Sequence, residues 1–228
     1  MFTQFLLFLW LQFCTFIHFI HNQMQRIVIV NYGMGNLNSV KKKLDSLKVD
    51  SVISSDIDEI LAADKLVLPG VGHFAKAMEN LQNLGLTAAL NEAVLVRKTP
   101  VLGICLGMQL MSKYSEEGNV EGLGWIDAKV IRFFVSDTLK FKVPHTGWNQ
   151  IQSSKESKLM AGIAEGSEFY FVHSYFMQLN DKRDELNTTE YEENFSSAVE
   201  KGTIFGVQYH PEKSHGIGKT LLKNFVEL

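Results

Sequence analysis

From Arg26 onward the chain alternates short β-branched runs with segments of helical period, and no other feature narrows its possible folds as much. Ile27-Val28-Ile29-Val30 is an unbroken apolar run, the pattern of a strand buried on both faces. After the glycine-containing stretch Tyr32-Gly33-Met34-Gly35-Asn36, residues Leu37, Val40, Leu44 and Leu47 recur at helical spacing. The series continues with a strand near Val52-Ile53, a short helix over 57–62, and the strand Leu66-Val67-Leu68, ended by Pro69-Gly70-Val71-Gly72. Ala75, Met78 and Leu81 mark a helix and 86–96 another, before Val101-Leu102-Gly103-Ile104 runs straight into Cys105. Repeated strand–turn–helix units predict an α/β fold with a central, mostly parallel sheet flanked by helices. In the second half, strands are expected at 128–135, 142–144, 169–172, 198–199 and 204–208, with a turn at Gly202. That half reads as a smaller antiparallel β portion, closed by an amphipathic helix near 217–226.

Composition excludes several function classes. The formal net charge is −3 and no lysine- or arginine-rich block is present, so nucleic acid is not an expected partner. The glycine stretch lacks the third glycine of a dinucleotide fingerprint, and no His, Cys, Asp or Glu group has zinc spacing, so neither cofactor nor metal is expected. The chain has two cysteines, Cys14 and Cys105, which points to a reducing, cytoplasmic setting rather than a disulfide framework. Residues 1–23 form an apolar extension ahead of a domain spanning 24–228. The extension reads as a translation artefact, with Met24 the true start, or else as a membrane anchor. A membrane partner is expected only in the second case.

Chemistry in such a sheet belongs at the carboxyl ends of strands. Gly103-Ile104-Cys105-Leu106-Gly107 has the form of a nucleophile elbow with cysteine as the nucleophile. A strand that turns abruptly into a helix leaves no room for side chains on either flank, hence the two glycines. The turn also sets the thiol at a helix N-terminus, where the dipole favours the reactive thiolate, and frees the Leu106 N–H for an oxyanion. A thiolate needs a base and the base an orienting group. His210-Pro211-Glu212 follows the last strand, and in extended chain the side chains two apart point the same way, so Glu212 can hold the His210 ring. Of the other histidines, His73 is placed to cap the following helix, while His145 and His173 are candidates for binding or packing.

Six segments, in order, carry a family resemblance: NYGMGNLNSV (31–40), LPGVGHF (68–74), GICLGMQ (103–109), VPHTGWN (143–149), FYFVHSY (169–175) and YHPEKS (209–214). Together they resemble the class I glutamine amidotransferases, and within them the glutaminase subunits of imidazole glycerol phosphate synthase, a branch of histidine biosynthesis. Met108 in place of a histidine separates the chain from anthranilate- and carbamoyl-phosphate-type glutaminases. The resemblance implies Cys105 as nucleophile, His210 as base, Glu212 as its orienting carboxylate, and the Val71 and Leu106 amides as oxyanion hole. It further implies that Gly72, Gln109, Glu117, Ser174 and Tyr175 hold L-glutamine.

The activity so implied is hydrolysis of L-glutamine to glutamate and ammonia. Free ammonia is protonated at neutral pH and loses its nucleophilicity, so a synthase (cyclase) subunit is expected to dock over the site as a heterodimer and take the ammonia directly. Candidate docking residues are Gly33, Met34, Gly35 and Asn36 of the glycine loop, then Pro144, His145, Trp148 and Asn149, and Lys213. Three other readings stand beside this one. The same chemistry could serve another synthase, as in surface-sugar amidination; the chain could be a peptidase-like hydrolase with an elbow cysteine; or it could be an inactive regulatory subunit.

Overall fold

Among residues 25–228, which a computed structural model of the chain describes, the first four strands alternate with helices as the sequence pattern predicts. β1 (Ile27–Val30), α1 (Leu37–Asp45), β2 (Ser51–Ser54), α2 (Ile57–Leu61) and β3 (Lys65–Gly70) come first. α3 (Phe74–Asn83), α4 (Leu86–Asn91), a π-turn over Glu92–Val96, β4 (Val101–Cys105) and the one-turn α5 (Leu106–Gln109) follow. The apolar stretch 1–23 and the reading of Met24 as the start lie outside the described residues. No helix among the described residues is long and apolar enough to cross a membrane.

The second half is almost all strand. It holds β5 (Tyr114–Ser115), β6 (Val120–Glu121), β7 (Ala128–Arg132), β8 (His145–Gln150), β9 (Gln152–Ser153), β10 (Glu168–His173) and β11 (Tyr175–Leu179). β12 (Glu185–Tyr191), β13 (Glu193–Lys201) and β14 (Ile204–Val207) complete the sheets, and α6 (His215–Glu227) closes the chain. One large sheet runs β2-β1-β3-β4-β14-β13-β11-β7-β5-β6, with β12 branching from β13 and β9 pairing β12, and β10 pairs β8 in a separate ribbon. The five strands β2-β1-β3-β4-β14 are mutually parallel. From β14 outward the sheet turns antiparallel through β13, β11 and β7.

Alternate side chains of β1 serve opposite faces, as a strand's period of two requires. Val28 and Val30 join one apolar cluster with Phe74, Ala77 and Leu81 of α3, while Ile27 and Ile29 join the other with Leu221, Leu222 and Phe225 of α6. Both faces of β1 are therefore dry, which explains its unbroken apolar run.

Two strand expectations need correction. The expected strand 142–144 does not form; the strand begins at His145, after the cis Val143–Pro144 bond, and pairs with β10 through Gln150. The expected strand 128–135 ends at Arg132, opposite Tyr175, with one further hydrogen bond from the Phe133 N–H to the Ser174 carbonyl at 3.0 Å.

Candidate active site

The parallel register brings three strand ends together. Gly70 of β3 stands opposite Cys105 of β4, and Val207 of β14 opposite Ile104, so the residues after Val207 leave the sheet beside the cysteine. Cys105 and Gln208, 103 positions apart in sequence, are thereby in contact.

Cys105 sits at the strand–helix junction with φ 55° and ψ −112°, a region L-residues rarely occupy and one that costs about 1–3 kcal/mol. The packing that enforces it is visible at the flanking glycines. A Cβ on Gly107 would lie 1.7 Å from the Leu68 carbonyl oxygen, and one on Gly103 would lie 2.7 Å from the Gly107 oxygen. Cys105 is 6% exposed, yet it opens onto a cleft of 270 Å³ with Val71, Gly72, Leu106, Gln109 and Glu117 on one side. Pro144, Val172, His173, Ser174 and Tyr175 line the other.

His210 is held from several directions. Its N–H donates to the Tyr170 carbonyl at 2.9 Å, its own carbonyl accepts from the Ser214 hydroxyl at 2.6 Å, and the Ser214 oxygen accepts from the Tyr170 N–H at 3.0 Å. Its Nδ1 lies 2.8 Å from Glu212 Oε1, and both side chains are 2% exposed. Nε2 has no hydrogen-bond partner among the described residues. Burial opposes charge on this ring, but Cys105 and Glu212 outweigh it and hold its pKa up at about 9. At neutral pH the imidazole thus carries a proton, with Glu212 on one side and Cys105 on the other.

The residues expected to hold substrate line the cleft, with two constraints. Gln109 Nε2 donates to the Tyr175 carbonyl at 2.8 Å and to Gln208 Oε1 at 3.0 Å, so only its Oε1 is left for a ligand. Glu117 Oε2 accepts from the Phe74 N–H at 2.8 Å, at the first turn of α3, leaving its other oxygen free. That contact also corrects the expectation for His73, which stands at the N-cap but makes no side-chain capping bond. Asn31 Oδ1 accepts from the Gly33 N–H at 3.1 Å and so shapes the glycine loop. A Cβ on Gly72 would lie 2.5 Å from Met34 Cε, so the loop packs directly on the segment containing Val71.

Of the residues expected at a docking face, Gly33, Asn36, Pro144, Trp148 and Lys213 are exposed, and Met34 and Gly35 partly so. Trp148 stacks on His215 with centroids 5.0 Å apart, and Lys213 Nζ lies 5.4 Å from the Tyr170 ring centre. His145 is corrected: at 3% exposure it lies behind the face, stacked between Phe171 and Tyr191. Asn149 is half-buried, its amide committed to the Glu190 carbonyl and to His145.

His145 and His173 form a buried pair whose tautomers follow from their partners. The Tyr175 carbonyl can only accept, so His173 Nδ1 donates to it at 2.8 Å. His173 Nε2 then accepts from His145 Nδ1 at 3.1 Å, and His145 Nε2 accepts from the Asn149 amide at 3.3 Å. Burial keeps both rings neutral: it pushes His145 down to about 4, and it pushes His173 down as well, with help from His145. Since the folded values lie below the unfolded one, this stabilisation is complete above pH 6.5 and is lost as pH falls. Between pH 5.5 and pH 5 unfolding should take up close to two protons here, a slope of about 2.5 kcal/mol per pH unit. His210 is protonated in both states in that window and adds nothing. Urea titrations of the wild type and of His145→Phe should differ in slope by about half; identical slopes would show that the rings are not held neutral.

Gln208 escaped the sequence reading. The signal was present, since residues 208 and 210 sit two apart on an extended segment and share a side.

The profile of the family described as glutamine amidotransferase class-I matches residues 28–228. The chain is 50% identical over 201 residues to imidazole glycerol phosphate synthase subunit HisH 2 of Methanococcus maripaludis, covering 88% of this chain and 98% of that protein. It is 46% identical to the protein of the same name from Pseudomonas aeruginosa, covering 89% and 99%. Among solved structures, a glutamine amidotransferase from Thermotoga maritima shares the fold, with TM-score 0.62 and 17% identity over 90% of this chain and 82% of that one.

Proposed function

The chain belongs to the class I glutamine amidotransferase family, and from that membership we propose that it is the glutaminase subunit of an imidazole glycerol phosphate synthase, feeding ammonia to a cyclase subunit. The observation that carries the proposal is the convergence of a strained, cleft-lining thiol with a buried imidazole–carboxylate pair at adjoining strand ends. The cleft, at 270 Å³, is smaller than the roughly 300–1,000 Å³ of drug-sized sites, which favours a single amino acid over a peptide.

In this reading the Cys105 thiolate attacks the carboxamide carbon of glutamine, and the electron pair moves to the oxygen. The Val71 and Leu106 N–H groups stabilise that oxyanion. As the tetrahedral species collapses, protonated His210 gives its Nε2 proton to the departing nitrogen, releasing ammonia and leaving a thioester. The neutral ring then takes a proton from water while the oxygen attacks the thioester, and glutamate leaves as the thiolate is restored. Glu212 holds the ring's other nitrogen throughout. The free oxygens of Gln109 and Glu117 suit the α-ammonium of the substrate.

The cyclase subunit docks over Gly33 to Asn36, Pro144, Trp148 and Lys213, closing the cleft so that ammonia passes without meeting bulk solvent. Glutamate release from glutamine, measured without and with saturating cyclase, tests the reading. Turnover should rise in the complex; a saturated complex that releases no glutamate would favour an inactive regulatory subunit instead.

A further inference from the structure

Gln208 is fully buried, and its amide is oriented by a chain of contacts that starts from an unambiguous acceptor. A backbone carbonyl cannot donate, so the Gln109 group 2.8 Å from the Tyr175 oxygen is an NH₂. The same NH₂ also faces Gln208 at 3.0 Å, so the Gln208 atom there is its oxygen. Gln208 therefore turns its own NH₂ the other way, where it meets the Cys105 sulfur at 3.6 Å. Among the described residues that sulfur is the one hydrogen-bond partner of this buried nitrogen.

A buried amide donor without an acceptor is costly, and a neutral thiol is a weak acceptor. A thiolate is a far better one, because bonds to an ionised partner are about twice as strong. The thiol form has an alternative of its own, the Val172 carbonyl 3.9 Å from the sulfur. We infer that Gln208 is a further catalytic residue, whose side-chain amide donates to the Cys105 sulfur and favours the attacking thiolate. Gln109 and the Tyr175 carbonyl act through it as positioning groups. His173 Nδ1 donates to the same carbonyl at 2.8 Å.

The inference rests on Cys105 being the nucleophile, so its test separates the two. Cys105 of the full chain is alkylated with iodoacetamide at neutral pH, and the modified peptide is quantified by mass spectrometry, which distinguishes it from Cys14. Gln208→Leu removes the donor. Gln208→Glu keeps an acceptor for Gln109, and so preserves that buried contact, but presents no amide to the sulfur. Both should slow Cys105 alkylation and lower kcat about tenfold, with KM for glutamine within about twofold. Wild-type alkylation rates in a folded variant, or loss of the fold in both variants, would reduce Gln208 to a packing residue and overturn the inference. If instead the wild-type complex fails to hydrolyse glutamine, the functional reading falls first.

Discussion

Cys105→Ala is expected to lower glutamine-dependent product formation by on the order of 10⁴–10⁶, while ammonium salts sustain synthesis by the same complex at the wild-type rate. The size of the loss follows from what remains. In the proposed mechanism no thioester forms without the sulfur, and the proposed oxyanion donors, the Val71 and Leu106 amides, can only polarise a carboxamide that water attacks poorly. The asymmetry between nitrogen sources follows from the proposed division of labour, in which Cys105 works in a cleft of this chain and the partner subunit consumes the ammonia. The substitution removes few atoms from a site that is already open on one side, so folding should be preserved. Parallel assays with glutamine and with ammonium decide the matter: equal loss from both sources would mean that the alanine disrupts docking, and the assignment of Cys105 as nucleophile would fail.

Gly107→Ala is expected to abolish stable folding, at a cost above about 4 kcal/mol. Its added methyl would sit 1.7 Å from the Leu68 carbonyl oxygen and 2.7 Å from the carbonyl carbon. Both clashing atoms belong to the Leu68 backbone in the buried strand β3, so no rotamer change relieves the contact. To make room, α5 must lift off the sheet, which moves Cys105 and the Leu106 amide with it. Gly216→Ala serves as the control. It lies in α6 with open space around it and an ordinary backbone conformation, and should stabilise by about 0.5–1 kcal/mol. Denaturant midpoints of the two variants should move in opposite directions. A Gly107→Ala protein within about 1 kcal/mol of wild type would show that the elbow tolerates a side chain and is not packed as described.

The parts of the site that were legible in the sequence are those whose signal is local. The elbow could be read because a glycine on either side of Cys105 is a steric requirement met within five residues. His210 and Glu212 could be paired because extended chain has a period of two, and the pair is 2.8 Å apart in the fold. β1, β3 and β4 were evident because burial on both faces demands unbroken apolar runs. β12 gave no such pattern. Its inward residues Asn187 and Thr189 are polar, with the Tyr209 hydroxyl donating to Asn187 Oδ1 and the Thr189 hydroxyl to Ser197 Oγ, so alternation of hydrophobicity never marks the strand. In the sequence His145 reads both as a docking residue and as a candidate for binding or packing. Only Phe171, Tyr191 and His173, brought in from other strands, make its position interior and decide for packing.

By itself, then, the order of residues determined the α/β class, the strained turn that carries the thiol, and the imidazole–carboxylate pair. Each depends on sterics or periodicity over a few neighbouring positions. Tertiary structure alone decided that the last strand would slot in beside β4 rather than follow the chain to an edge. That placement sets Gln208 against the sulfur. The same assembly buries His145 and brings Glu117 to the first turn of α3 from 43 residues away. Strand order arises from how whole faces of apolar surface are covered, a property of the assembled sheet that no short window of sequence contains.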